Sequence, residues 1–229
     1  MRQLPSPATL LAALAASALA CAGATPARPT VAVAVIGSST AFGTGATTGN
    51  GWVDRVRAAA ATACPQVVIT NLAVGGTTTW DGLPASPGFT PPRPGTNLDA
   101  ALALRPALVF VNYPSNDAAG LIPLAETLAN HVTLRDRIRA AGAVDVILGP
   151  FPRGFTDPAQ VALMTGLRDQ LPAVGAPRYI ALWADLALSD TQVAAPYAAS
   201  DGIHLVDAGH ALIAAKALAS DAWKAVCTP

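Results

Sequence analysis

An acid and a base stand three residues apart in Asp201-Gly202-Ile203-His204. A carboxylate this close to an imidazole can bind one ring nitrogen, fix the tautomer and leave the other nitrogen free to take a proton. A base held in that way needs a nucleophile. The chain offers hydroxyls in Ile36-Gly37-Ser38-Ser39-Thr40. A serine hydroxyl attacks poorly until an imidazole accepts its proton. Ser38 and Ser39 are adjacent, and residue type alone does not choose between them. Taken singly, neither motif says much: Asp-x-x-His spacing is frequent by chance, and Ser/Thr clusters favour turns and helix caps.

Attack on a carbonyl generates an oxyanion, which needs fixed donors. Gly75-Gly76 and Pro114-Ser115-Asn116-Asp117 supply candidates. The backbone N–H of Gly76 can approach a ligand closely because glycine carries no side chain. The Asn116 amide is a second donor, and the backbone N–H of Ser39 a third. Separately, a Gly-Gly pair is a turn and an Asn in such a loop an Asx-turn. Four groups in four loops, in an order that lets them converge, are harder to attribute to chance.

The surrounding elements say where those loops lie. Val31–Ile36, Val67–Thr70, Ala107–Asn112, Val144–Leu148 and Arg178–Leu182 read as strands, and their apolar runs fit a sheet covered on both faces. Helices are expected over Trp52–Ala63, Leu98–Leu104, Ile122–Ala141, Pro158–Leu171 and Val206–Val226, with Asp190–Ile203 irregular. Alternation of this kind predicts an α/β fold, a three-layer α/β/α sandwich around a five-stranded parallel sheet. In such folds ligands bind beyond the carboxyl ends of the strands, and each candidate follows a strand. The long Asn71–Thr96 segment, rich in Gly, Pro and Thr, is expected to be functional at that length. Trp80 and Phe89 within it are candidate walls of an acyl or leaving-group pocket. Arg153, after the fourth strand, is a candidate contact for an anionic substrate. Trp52, Trp183 and Trp223 are expected in the core, His131 on the polar face of its helix, and His210 as a capping or packing residue of the last helix.

Composition narrows the function classes. Charged residues make up 12% of the chain, against about 25% in ordinary domains, and the 14 basic residues balance 14 acidic ones. No basic stripe exists for nucleic acid, and no Cys/His cluster for structural zinc. Residues 1–24 read as a signal peptide: Arg2, then an apolar run from Thr9 to Ala20 that is short for a membrane span, then small-residue cleavage sites at Ala18-Leu19-Ala20 and Ala22-Gly23-Ala24. Cys21 also resembles a lipoprotein acylation site, which would make a lipid anchor the one link to a membrane. Residues 25–30 form a short linker and 31–229 a single domain. The expected location is secreted or periplasmic. Cys64 and Cys227 remain as an even pair in an oxidising compartment, and a bond between them is expected.

The chain resembles the SGNH/GDSL hydrolases over nearly all of residues 31–229. Gly37-Ser38-Ser39 is similar to the family's Gly-Asp-Ser block, which places the nucleophile at Ser39. Asn71-Leu72-Ala73-Val74-Gly75-Gly76 is similar to Asn-x-Gly-x-x-Gly, Pro114-Ser115-Asn116-Asp117 to Gly-x-Asn-Asp, and Asp201 with His204 to the closing Asp-x-x-His. Ser38, Ala73 and Pro114 depart from the pattern, and none of these replaces a reacting group. The α/β-hydrolase elbow Gly-x-Ser-x-Gly fits less well, because Ala41 stands at its second glycine. The resemblance implies a serine esterase with the triad Ser39, His204 and Asp201 and an oxyanion hole of Ser39, Gly76 and Asn116. It implies no metal or cofactor. The expected substrates are short-chain esters, either small molecules or acylated carbohydrates, since the long loop is poor in aliphatic residues. A monomer is expected. An acyltransferase with the same triad, and a non-catalytic carbohydrate-binding protein on the same fold, are the alternatives.

Overall fold

The computed structural model describes residues 29–228. The expected leader, Cys21 and most of the linker lie outside the described residues. Five strands, β1 (Val31–Gly37), β2 (Val67–Asn71), β3 (Leu108–Asn112), β4 (Val144–Leu148) and β5 (Tyr179–Ile180), form one sheet in the order β2-β1-β3-β4-β5. Every pairing is parallel, with Val33 opposite Ile69 and Leu108 on its two sides. The helices are α1 (Ser39–Phe42), α2 (Trp52–Ala63), α3 (Thr79–Gly82), α4 (Leu98–Ala103), α5 (Asn116–Ala119), α6 (Leu124–Ala140), α7 (Pro158–Gly175), α8 (Trp183–Leu186), α9 (Asp207–Ala219) and α10 (Asp221–Cys227).

Side chains of the central strands alternate between two buried layers, and this is why their sequences are mostly apolar. Val33, Val35, Leu108 and Phe110 pack with α2, α9 and α10. Ala34, Ile36, Val109 and Val111 pack with α4, α6 and α7. Trp52 closes the first layer edge-on against Phe110, with ring centroids 5.6 Å apart. Cys64 follows α2 and bonds to Cys227 at the end of α10, with the Cα atoms 5.2 Å apart.

The architecture is the expected one, and five local expectations need correcting. The fifth strand has two paired residues, because only Ile147 and Leu148 of β4 extend far enough to meet it. Leu182 is still fully buried, as the residue before α8. The closing helix is two helices. Ser220 turns to an extended conformation, donates to the Ala217 carbonyl at 2.7 Å and caps α10 through Trp223 N–H at 3.2 Å. The helix from Pro158 runs past Pro172 to Gly175, with Pro172 in its last turn. His131 is not on a polar face. It is fully buried, with Nδ1 2.8 Å from the Thr127 carbonyl, because the loop after β2 covers that side of α6. Trp183 is only partly buried and carries the Arg168 guanidinium 5.1 Å from its ring centroid.

Candidate active site

The first loop begins where glycine is obligatory. A Cβ on Gly37 would fall 2.4 Å from the Asn112 carbonyl oxygen, so β1 and β3 pack backbone to backbone there. Ser38 N–H donates to that carbonyl at 3.0 Å, and the chain then leaves the sheet. Ser38 is extended and buried, whereas Ser39, the first residue of α1, is half-buried and open to the cleft. The turn therefore aims one of the two serines inward and the other outward.

The loop after β2 is tied to the first. Asn71 Nδ2 donates to the Ala41 carbonyl at 2.7 Å, and Val74 N–H to the Gly37 carbonyl at 3.0 Å. Thr77 Oγ1 donates to the carbonyls of Gly37 and Val74 at 3.0 and 2.8 Å. This brings Gly75 alongside the nucleophile candidate: a Cβ there would lie 3.9 Å from Ser39 Cβ. Gly76 has φ +81°, in the left-handed region, with nothing within 4 Å of where a Cβ would stand.

Asn116 and Asp117 point to opposite sides of the loop after β3. Asp117 is buried and accepts from Thr79 N–H at 2.9 Å, from the Thr79 hydroxyl and from Thr127 Oγ1 at 3.1 Å. It thereby locks α3 onto α6. Asn116 is half-buried and donates from Nδ2 to the Thr77 carbonyl at 2.8 Å. The loop after β4 closes the cleft. Arg153 Nη1 donates to Asn116 Oδ1 at 2.9 Å and Ser115 Oγ at 3.3 Å, and Gly154 N–H donates to the Gly202 carbonyl at 2.8 Å.

Asp201 and His204 form the pair that their spacing suggested. Asp201 Oδ1 accepts the backbone N–H groups of Ile203 and His204 at 2.8 and 2.9 Å, and Oδ2 lies 2.6 Å from His204 Nδ1. Desolvation acts to raise the Asp201 pKa. The His204 and Ile203 hydrogen bonds outweigh it and hold the carboxyl down at about 2. The ring donates from Nδ1 to this carboxylate, which leaves Nε2 without a protein partner among the described residues.

His204 also packs on the loop that carries Ser39. At Gly45 a Cβ would stand 2.9 Å from His204 Cβ and 2.4 Å from the Leu205 carbonyl oxygen. Thr47 fastens the same loop to Asp207 through its N–H and hydroxyl, both at 2.7 Å. His210 sits beneath it, accepting from Trp52 N–H at Nδ1 and donating from Nε2 to the Thr44 carbonyl, both at 3.2 Å. Acceptance at Nδ1 requires the neutral ring with its proton on Nε2, and burial pushes the pKa down in the same sense. Packing was the expected role of His210, although its partners lie on other elements and not on its own helix. No hydrogen bond joins Ser39 Oγ to His204 among the described residues.

Thr77 and the Arg153–Asn116 contact escaped the sequence reading. Both are contacts between residues more than 35 positions apart, and no local pattern announces them. Trp80 is partly exposed and leans on α6, donating from Nε1 to Glu126 at 2.9 Å. Phe89 is half-buried and pairs with Ser86 in an isolated bridge. Among the described residues no group of three or more His, Cys, Asp or Glu can hold a metal, and no helix is long and apolar enough to cross a membrane. A cavity of about 690 Å³ between β4–β5 and α9–α10 includes none of the four loops and starts at the amino end of β4, away from the candidate site.

Comparison with known proteins bears on the family and the fold. The pattern of the GDSL-like lipase/acylhydrolase family matches residues 35–212. No curated protein matches the sequence. Among solved structures, the psychrotrophic esterase EstA from Pseudoalteromonas sp. is 18% identical, with 82% of this chain and 95% of that one covered and a TM-score of 0.61. The acetyl xylan esterase AlAXEase is 16% identical, with coverage of 86% and 100% and a TM-score of 0.62. A two-domain esterase active on acetylated mannans is 17% identical, with 88% of this chain and 50% of that one covered and a TM-score of 0.57.

Proposed function

Since the chain belongs to the GDSL-like lipase/acylhydrolase family and is a carboxylic ester hydrolase, we propose that it cleaves short-chain acyl esters, acetyl esters of carbohydrates foremost, through a Ser39–His204–Asp201 triad. The observation that carries this reading is the 2.6 Å Asp201–His204 bond. It leaves the far ring nitrogen free, beside the loop that bears the half-open Ser39. In this mechanism Ser39 Oγ attacks the ester carbonyl as His204 Nε2 takes its proton. The oxyanion is met by the Ser39 and Gly76 N–H groups and the Asn116 amide. His204 returns the proton to the departing alcohol, and water then repeats the sequence to free the acid. Asp201 orients the imidazole and balances its charge without being protonated itself. Its low pKa suits that role.

The choice of acyl group rests on the long Asn71–Thr96 loop, which has few aliphatic side chains to line an apolar acyl tunnel. The choice of alcohol is supported by two structural neighbours, one described as an acetyl xylan esterase and the other as active on acetylated mannans. Export is part of the proposal, supported by the apolar N-terminal run and by the Cys64–Cys227 bond. The test is labelling with a fluorophosphonate together with a series of p-nitrophenyl esters. The label is expected on the peptide holding Ser39, to vanish in Ser39→Ala and to persist in Ser38→Ala. Ser39→Ala should cost several orders of magnitude in kcat, up to about 10⁶. Faster turnover on chains of about ten carbons than on acetate would overturn the acyl assignment. Acetate release from acetylated polysaccharide tests the alcohol.

A further inference from the structure

We propose that Arg153 is a positioning residue of the oxyanion hole, fixing and polarising the Asn116 amide; this rests on the reading of Asn116 as an oxyanion donor. A side-chain amide can present either end to a ligand, and here both ends are spoken for. Arg153 Nη1 holds Oδ1 at 2.9 Å, and the Thr77 carbonyl takes one Nδ2 hydrogen at 2.8 Å. The flipped orientation would set Oδ1 against the Thr77 carbonyl and Nδ2 against a guanidinium, two repulsive contacts. The second Nδ2 hydrogen then remains as the free valence of the amide.

The partner that holds Oδ1 is a cation, which matters beyond orientation. Charge-assisted hydrogen bonds are shorter and stronger than neutral ones, and a donor placed on the carbonyl of an amide strengthens its N–H groups as donors. Arg153 has no carboxylate within 4 Å among the described residues. Burial disfavours its charge, which Asp201 across the cleft partly offsets. The guanidinium carbon lies over the Phe155 ring, 5.0 Å from its centroid, a cation–π contact that helps hold it in place. A half-buried cation with no carboxylate in direct contact, one amide away from where negative charge develops, suits a state in which that charge appears. Gly154, the next residue, is bonded to Gly202 in the Asp201–His204 loop. The same loop therefore sets the oxyanion donor and the general base relative to each other.

The decisive experiment uses p-nitrophenyl acetate, which carries no charge for Arg153 to recognise directly. Arg153→Met, Arg153→Lys, Asn116→Ala and the double variant Arg153→Met/Asn116→Ala are compared, with a thermal melt of each. Removal of one oxyanion donor typically costs about 10²–10³-fold in kcat. Arg153→Met is expected to lose roughly 10- to 100-fold in kcat, with KM within about threefold. Arg153→Lys should recover part of that loss. The double variant should be no slower than Asn116→Ala alone, because Arg153 acts only through the amide. Multiplying losses in the double variant would overturn the proposal, as would a kcat for Arg153→Met within twofold of the parent. An Arg153→Met loss that tracks a fallen melting temperature and is not rescued by lysine would reduce Arg153 to a structural residue. If Arg153→Met spares p-nitrophenyl acetate but raises KM for a carboxylate-bearing ester, Arg153 reads the substrate instead. If Asn116→Ala itself leaves kcat unchanged, the proposal fails through its premise, the oxyanion assignment.

Discussion

Gly45 offers a way to move the His204 loop without touching a reacting group. The residue has φ +94°, and a Cβ there would stand 2.4 Å from the Leu205 carbonyl oxygen and 2.9 Å from His204 Cβ. Cβ contacts in real structures essentially never fall under 3.0 Å, so in Gly45→Ala the Leu205 backbone must retreat by about 0.6 Å. His204 moves with it. The left-handed conformation adds roughly 1–2 kcal/mol for any Cβ-bearing residue. Gly49 isolates that backbone component, because its φ is +79° and nothing lies within 4 Å. Gly49→Ala should therefore lose about 1–2 kcal/mol, a few degrees of melting temperature at this chain length, and keep its kcat. Gly45→Ala should lose a further ~1–3 kcal/mol to overpacking. Because misplacement of a catalytic group by about 1 Å can cost 10²-fold, its kcat/KM should fall by roughly 10- to 100-fold. Initial rates on p-nitrophenyl acetate and urea titrations of both variants supply the comparison. A Gly45→Ala enzyme that keeps more than a third of its kcat/KM would refute the argument, because the predicted displacement would then not reach the base. Equal losses in both variants would refute it too, by tracing the effect to the backbone alone.

Two predictions concern the rest of the fold. Cys64 and Cys227 are 163 positions apart, and the chain-entropy account of such a closure gives about 5 kcal/mol as a ceiling. Reduction with a thiol should lower the melting temperature by roughly 5–20 °C and expose two alkylatable cysteines. An unchanged melt with both thiols alkylated would contradict the entropic argument. Burial pushes the pKa of His131 down against the pull of Thr127 and Asp117, and burial does the same at His210 against Thr44 and Asp207. Below the unfolded value of about 6.5, the unfolded chain binds protons that these folded rings refuse. Stability should therefore fall as pH drops from about 6.5 toward the lower folded pKa values, by up to ~1.4 kcal/mol per pH unit for each ring. Denaturant titrations at pH 7.5, 6.5 and 5.5 measure that slope. An unaltered slope in both His131→Gln and His210→Gln would exclude these rings as its source.

Much of this was legible because the strands are runs such as Val33-Ala34-Val35-Ile36 and Leu108-Val109-Phe110-Val111, whose character is set by burial on both faces. The alternation of strands and helices then located the candidate loops before any contact was known. The pattern failed where burial is a tertiary event. Asp145 is fully buried in β4, an otherwise apolar strand, and nothing near it in sequence says that Arg139 and Arg178 will meet it at 2.7 and 3.0 Å. Desolvation acts to raise its pKa, and the two guanidiniums outweigh it and hold the carboxyl below the usual range. His131 departs from its expected polar face for the same reason: helical position gives a face but not what will cover that face. Ser220 broke the last helix by capping with its own hydroxyl, a choice that propensity alone leaves open in an alanine-rich stretch.

The three departures from the family's blocks become intelligible once the ties between loops are followed atom by atom. At Ser38 the structure uses the backbone N–H, which binds Asn112, while the side chain is buried away from the cleft. At Ala73 it again uses the backbone N–H, bound to Asn71 Oδ1 at 3.1 Å. Pro114 is buried, and it makes no hydrogen bond among the described residues. Several of the contacts that hold the loops together likewise end on the backbone: the carbonyls of Gly37, Ala41, Thr77, Asn112 and Gly202 each receive a bond from a neighbouring loop. Backbone acceptors survive substitution at their own positions, whereas a donor such as Asn116, Thr77 or Arg153 does not. Tolerance to mutation around this cleft should therefore follow which residues give hydrogen bonds across loops, more closely than distance from Ser39.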